Sequence, residues 1–175
     1  MTTTSNVRRA GRHEETIEAT MEKLFPLGCP VAEYKWIDGW DFEMVYSECG
    51  AMEEHCIFRE RMTGAFLLAD PHLETTWVVC DNDRDARWLR AVLTAGDRAA
   101  AMFEVDGQEQ GDGSTKVTWS FTITGLNEDG NQALAALEPA RIDTMLGFLG
   151  KSIKHYCETG EKLPAKDAIE LALAS

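Results

Sequence analysis

The chain has 175 residues and a formal net charge of −13 at pH 7, enough length for one domain with a substantial core. Acidity of that size repels phosphate backbones and anionic bilayers, so the expectation is no nucleic-acid partner and no membrane partner. No apolar run approaches a membrane span, and the polar start Met1-Thr2-Thr3-Thr4-Ser5 has no apolar signal region behind it; a cytoplasmic protein is expected.

Five cysteines, Cys29, Cys49, Cys56, Cys80 and Cys157, are an odd number with no CxxC pair. Reduced thiols packed as small apolar groups are expected, not a disulfide framework or a zinc site. Residues 1–5 read as a disordered N-terminus, 6–163 as a single domain, and 164–175 as a C-terminal tail able to form a short helix.

In chain order, Asn6 to Ile17 is charged and weakly alternating, which suits an edge strand with one wet face. Thr20 is placed to cap a short helix from Met21 to Phe25 that Pro26 ends or kinks. Pro30, in a first-turn position, starts a second short helix or turn before Asp38-Gly39, bracketed by Trp36 and Trp40. From Asp41 the period becomes two: Phe42, Met44 and Tyr46 share one face, and a turn follows at Cys49-Gly50. His55 to Met62 forms a strand with Cys56, Phe58 and Met62 on one face and Arg59 and Arg61 on the other. After a loop carrying Asp70-Pro71 come a strand at Thr75 to Cys80, a polar turn at Asp81 to Asp85, and a strand at Ala86 to Thr94 with Trp88, Arg90 and Val92 together. Ala99 to Val105 is another strand, and Gly107 to Gly113 reads as a hairpin connection. The clearest strand alternates Val117, Trp119, Phe121 and Ile123 with threonines and Ser120.

Gly125 to Asn131 reads as a turn and Gln132 to Glu138 as a short helix before Pro139. The long helix that follows carries Ile142, Met145, Leu146, Leu149, Ile153 and Tyr156 at three-and-four spacing, stops at Thr159-Gly160, and must lay that face on the sheet.

The order strand, two short helices, about six consecutive strands, long helix predicts an α+β helix-grip arrangement, with the strands paired as an antiparallel meander. In Ile17-Glu18-Ala19-Thr20 leading into Lys23 to Leu27, in Tyr34 to Trp40, in Cys56-Ile57-Phe58, in Thr115 to Trp119 with Thr124-Gly125-Leu126, and in His155 to Gly160, the chain resembles the START-domain or SRPBCC superfamily, which includes pollen-allergen-like proteins, polyketide cyclases and lipid-transfer domains. The resemblance implies a seven-stranded antiparallel sheet wrapped around the long C-terminal helix, with two short helices after the first strand and an apolar tunnel between sheet and helix. It does not choose among carriers, sensors and enzymes.

The residues expected to line that cavity are Trp40, Phe42, Met44, Tyr46, Phe58, Trp77, Trp88, Arg90, Phe103, Trp119, Phe121, Met145, Leu149 and Tyr156, with Trp36, Met102 and Phe148 in the same aromatic and methionine set. The same residues at the same spacing also build a closed core. Arg59, Arg61 and Arg90 need acidic partners if buried; Glu43, Glu60 or Glu104 are available, and an arginine left unpaired in the cavity would anchor an acidic ligand. His155 near a helix end needs no function, and the Asp38-Gly39 turn accounts for Asp38. No catalytic residue, metal or cofactor is assigned, since no nucleophile elbow, phosphate loop, HExxH or dinucleotide fingerprint is present. The expected activity is binding or carriage of a small hydrophobic, lipid-like or polyketide/aromatic-like molecule. The alternatives are a cyclase- or dehydratase-like enzyme using the same cavity, or an interaction module, with a homodimer through the tail as one form.

Overall fold

The computed structural model describes residues 6–61, 74–83, 85, 87–138 and 140–174. The elements run β1 Arg8–Ile17, α1 Met21–Leu24, a 3₁₀ turn Phe25–Gly28, α2 Pro30–Glu33, β2 Phe42–Tyr46, β3 Ile57–Glu60, β4 Thr75–Asp83, β5 Arg87–Ala95, β6 Ala99–Glu109, β7 Thr115–Gly125, α3 Glu128–Ala136, α4 Ala140–Thr159 and α5 Ala165–Leu173. The strands form one seven-stranded sheet in the order β1-β7-β6-β5-β4-β3-β2, every pair antiparallel. β1 and β2 are its two edges.

Period-two patterning decides which face is covered. Leu89, Ala91, Leu93 and Ala95 on β5, Phe103 and Val105 on β6, and Val117, Trp119, Phe121 and Ile123 on β7 are all buried. Ile142, Met145, Leu146, Leu149 and Ile153 of α4 are buried with them, each such side chain contributing about 1.5–3 kcal/mol by leaving water. The helix face anticipated from spacing is the one that docks.

β1 joins α4 by close approach and by charge. A Cβ at Gly11 would meet Ile142 at 2.5 Å, and one at Gly150 would meet His13 at 2.9 Å, so helix and strand touch where side chains are missing. Glu15, buried on the inner face of β1, receives Lys151 Nζ at 2.7 Å and Lys154 Nζ at 2.8 Å. Burial opposes the charge on Glu15, but the two lysines outweigh it and hold the carboxyl below its usual range. Asp143 in the first turn of α4 accepts the Arg12 backbone N–H at 3.1 Å, and α5 lies against α4, its first N–H given to Asp38 Oδ2 at 3.0 Å.

Several local expectations shift. Thr20 occupies the N-cap of α1 but makes no side-chain cap bond; the Met21 N–H goes to Glu109 Oε1 at 2.9 Å. β4 continues through Asp83 where a turn was expected, and β6 continues to Glu109 past Gly107. α3 begins at Glu128, not Gln132, because Asn127 caps it by accepting the Gly130 N–H at 2.9 Å. Gly130 reads as a turn glycine in sequence; its place is set by the Arg98 carbonyl, which a Cβ would approach to 1.9 Å. Residues 1–5, Met62, the Asp70-Pro71 loop and Pro139 lie outside the described residues.

Glu15→Ala strips two lysines of their shared carboxylate at the β1–α4 seam. A loss of about 1–3 kcal/mol in denaturant unfolding is expected, with Lys151→Ala and Lys154→Ala each costing less because the other lysine remains. Equal effects within error for all three variants, or none, would show that apolar packing alone holds the seam.

Candidate functional site

Between the inner sheet face, α2 and α4 lie two adjoining cavities that share Gly28, Glu33, Leu89, Phe103 and Leu149 in their walls. The first, of about 40 Å³, is completed by Ile37, Trp40, Met52, Phe58, Glu60 and Trp77. The second, of about 30 Å³, is completed by Trp36, Trp88, Val105, Trp119 and Ile153. Each is close to the volume of a single water in the liquid, about 30 Å³, so in this form the side chains fill most of the space.

The walls are built from an aromatic series crossing the sheet. Phe58 stacks on Trp77 at 5.3 Å between ring centres, Trp77 meets Phe103 edge-on at 5.3 Å, and Phe103 meets Phe121 at 6.4 Å. Ala91 stands opposite Phe103 in register, and its small side chain leaves room for Trp77 and Phe103 to meet across β5. Trp36 and Trp40 are pinned by indole N–H bonds of 2.8 Å to the Leu27 and Pro30 carbonyls, which fixes the short-helix segment over the cavities.

Of the residues expected from sequence, Trp40, Phe58, Trp77, Trp88, Phe103, Trp119 and Leu149 line one or both cavities. Phe121 and Met145 are buried core residues outside both linings, and Phe42, Met44 and Tyr156 are half-buried and packed against the core. Trp36 lines the second cavity.

Tyr46 and Arg90 face elsewhere, which corrects two expectations. Phe42 and Met44 stand opposite Glu60 and Phe58, but a register shift between Met44 and Tyr46 sets Tyr46 against Ile57; the bulge rotates it outward, and it is 52% exposed. On β5, register shifts on either side of Asp81 let Trp88 and Leu89 both reach the interior. Arg90 lies outside, pairing with Glu104 at 3.1 Å and Asp81 at 3.5 Å. Arg59 and Arg61 likewise pair with Glu43 on the outer face. None of the three arginines anchors an acidic ligand in the interior.

Sequence reasoning missed two residues of this site, Glu33 and Glu60. Glu60, 5% exposed, accepts the Trp77 indole N–H at 2.9 Å; burial lifts its carboxyl to about 7 despite that bond. Glu33 retains some exposed surface as a residue, but its carboxyl is buried in the cavity wall. Burial, with a further push from Glu60, raises it well above the usual carboxylate range. Their signals were present in the sequence. Glu60 shares strand parity with Phe58, and Glu33 stands four and seven residues before Ile37 and Trp40, the spacing of one helical face. Trp88 adds a third polar group: it is 3% exposed and its indole N–H is buried without a partner.

Outside lies an open groove of about 400 Å³ lined by Phe25, Pro26, Cys29, Val31, Met52 and Asn82, among others. Met52 borders both this groove and the first cavity. Its backbone is held by N–H donation to Cys29 Sγ and by Asn82 Nδ2 on its carbonyl, each at 3.2 Å. Of the described residues lining the outer groove, Met52 is the one that also lines the first cavity.

No family model matches the sequence, and no curated protein matches it. Solved structures do. A norcoclaurine synthase point mutant from Thalictrum flavum aligns with a TM-score of 0.63 at 13% identity, over 89% of this chain and 98% of that one. Major latex-like protein 151 from Panax ginseng aligns at 0.59 and 15%, over 85% and 97%, and Ara h 8.0201 at 0.56 and 14%, over 97% and 100%. Identities this low speak for the fold alone. Strand order, the helix pair after β1 and the long helix across the sheet agree with these alignments: the chain has the helix-grip fold that these solved structures share.

Proposed function

We propose that the protein binds a small, largely apolar molecule in the chamber formed by the two cavities, admitted from the outer groove past Met52. The observation that carries this is the placement of Glu33, Glu60 and Trp88 in an aromatic-walled interior. Buried carboxyls without a cation destabilise a fold, and an indole N–H without an acceptor leaves a bond unmade. A plain core gains nothing from either, whereas a binding site needs a few polar groups in an apolar wall. The free thiols and the acidic surface accord with a cytoplasmic location, and no described helix is long and apolar enough to cross a membrane.

A second reading is favoured by one observation. Glu60 titrating at about 7 is poised for proton transfer at neutral pH, which suits an enzyme of cyclase or dehydratase type using the same chamber. The aligned norcoclaurine synthase was crystallised with a transition-state analogue, so this fold accommodates catalysis in at least that protein.

A polarity-sensitive naphthalene dye tests the chamber directly. Leu149→Trp fills the wall common to both cavities at an overpacking cost of about 1–3 kcal/mol, and at least tenfold weaker dye binding by a still-folded variant is expected. Dye binding unchanged by this substitution would remove the chamber as the binding site.

The cost of the acids is measurable as well. Because the carboxyl of Glu60 is raised from 4.5 to about 7 on folding, the folded state holds a proton that the unfolded state releases between those values. Stability from this group is full below the lower value and is lost as pH rises through the higher one. Glu33, shifted the same way, adds a slope of the same sign. Glu60→Gln keeps an acceptor for Trp77 and removes the charge, so unfolding free energy at alkaline pH should rise, by on the order of 3 kcal/mol, with a shallower fall across that window. A variant less stable than the parent at alkaline pH would show that Glu60 is stabilised by a partner instead.

A further inference from the structure

The geometry points to a protonated amine as the head group of the ligand: a compact apolar or aromatic body whose ammonium sits between the Glu33 and Glu60 carboxyls. This rests on the chamber being a ligand site, as proposed above, and it names the chemistry of what enters.

The polar groups of the chamber decide it. Two carboxyls line the first cavity, and among the described residues no Lys, Arg or His lines either cavity. Trp77 satisfies Glu60 Oε2; neither oxygen of Glu33 receives a hydrogen bond from a described residue, and Glu60 receives only that one. An acidic ligand would bring a third carboxyl to a place with no cation. A hydrocarbon would leave both acids and the buried Trp88 N–H as they are. An ammonium supplies three donors and the missing positive charge at once.

The walls suit the same group. Phe58, Trp77 and Phe103, packed on one another, line the same cavity as the two acids, and ring faces attract cations most where water is excluded. The unpartnered Trp88 N–H, in the cavity that shares Glu33, calls for an acceptor atom on the same molecule. At −13 overall, the protein also draws cations toward it. Binding an ammonium favours the ionised carboxyls, so uptake releases protons, and affinity rises with pH while the amine stays protonated. The titratable groups facing the site among the described residues are Glu33 from α2 and Glu60 from β3.

Three probes of one size and shape separate the possibilities: phenylethylamine, phenylethanol and phenylacetate, titrated by calorimetry into the full chain at mildly alkaline pH. The amine should bind at least tenfold tighter than the alcohol, and the acid weakest. In the E33Q/E60Q double variant the advantage of the amine over the alcohol should vanish while alcohol binding persists. If the alcohol binds the parent protein as tightly as the amine, or the double variant keeps the full preference, the amine assignment is overturned and the chamber stands. If none of the three binds and Leu149→Trp leaves dye binding unchanged, the chamber itself is overturned and the amine with it. The comparison of probes on the parent protein needs no variant, so a misfolded double variant leaves the inference open to refutation.

Discussion

One apolar sheet face has to be covered, and a single long helix does not reach all of it. Within the sheet, α4 packs chiefly against β1 and less against β7; Gly11 and Gly150 allow the close approach and Glu15 gathers two lysines. Among the described residues, the far side of the same face, on β3 to β5, is met by the stretch from Gly28 through α2 to Trp40 and by Met52. Short helices of four residues cannot fill the angle between a curved sheet and a helix anchored at its other edge. The chamber lies in that angle, and its position follows from the covering mismatch.

Charge is divided between the two faces of the sheet in a way that follows from this. Outside, Arg59 and Arg61 share Glu43, and Arg90 lies between Asp81 and Glu104. These pairs are substantially exposed, so they contribute little to stability and leave no net demand. Inside, two acids stand without a cation. With Arg59, Arg61 and Arg90 outside and Glu33 and Glu60 inside, the interior offers carboxyls but no cation among the described residues, and desolvation presses both acids toward the protonated form until a positive charge is supplied.

The parts of this structure legible in the sequence are those governed by a long, uninterrupted period. β7 and α4 repeat their patterns over many residues, and their buried faces are the ones that spacing selects. What spacing could not reveal is a change of phase. The shift before Tyr46 and the shifts around Asp81 each offset one residue against its neighbours, and a strand period of two turns such an offset into a change of face. Tyr46 and Arg90 were therefore misplaced, whereas Trp88, beside the same irregularity, reached the interior. α3 hid for a different reason: Asn127 and Gly130 are turn residues by propensity, and only the tertiary contact with the Arg98 carbonyl shows that Gly130 belongs in a helix. The acids were overlooked because charge is normally taken as a mark of solvent. Strand parity places Glu60 beside Phe58, whereas its reading as a partner for a buried arginine sets that parity aside.

The small volume of the chamber is consistent with a site that opens, and the structure restricts where opening can occur. α4 is held by the Glu15 ion pairs, by Asp143 on the β1 backbone and by α5 along its length, so lifting the helix breaks several interactions together. The opposite wall is lighter. Met52 lines both the outer groove and the first cavity, and its unbranched, rotamer-rich side chain sits on a backbone fixed by two 3.2 Å contacts to Cys29 and Asn82. Moving that side chain requires rotation about bonds, not separation of elements. For the binding site proposed above, entry past Met52 would therefore break fewer interactions than entry past the helix, and would lead to the wall where Glu60 and Glu33 lie.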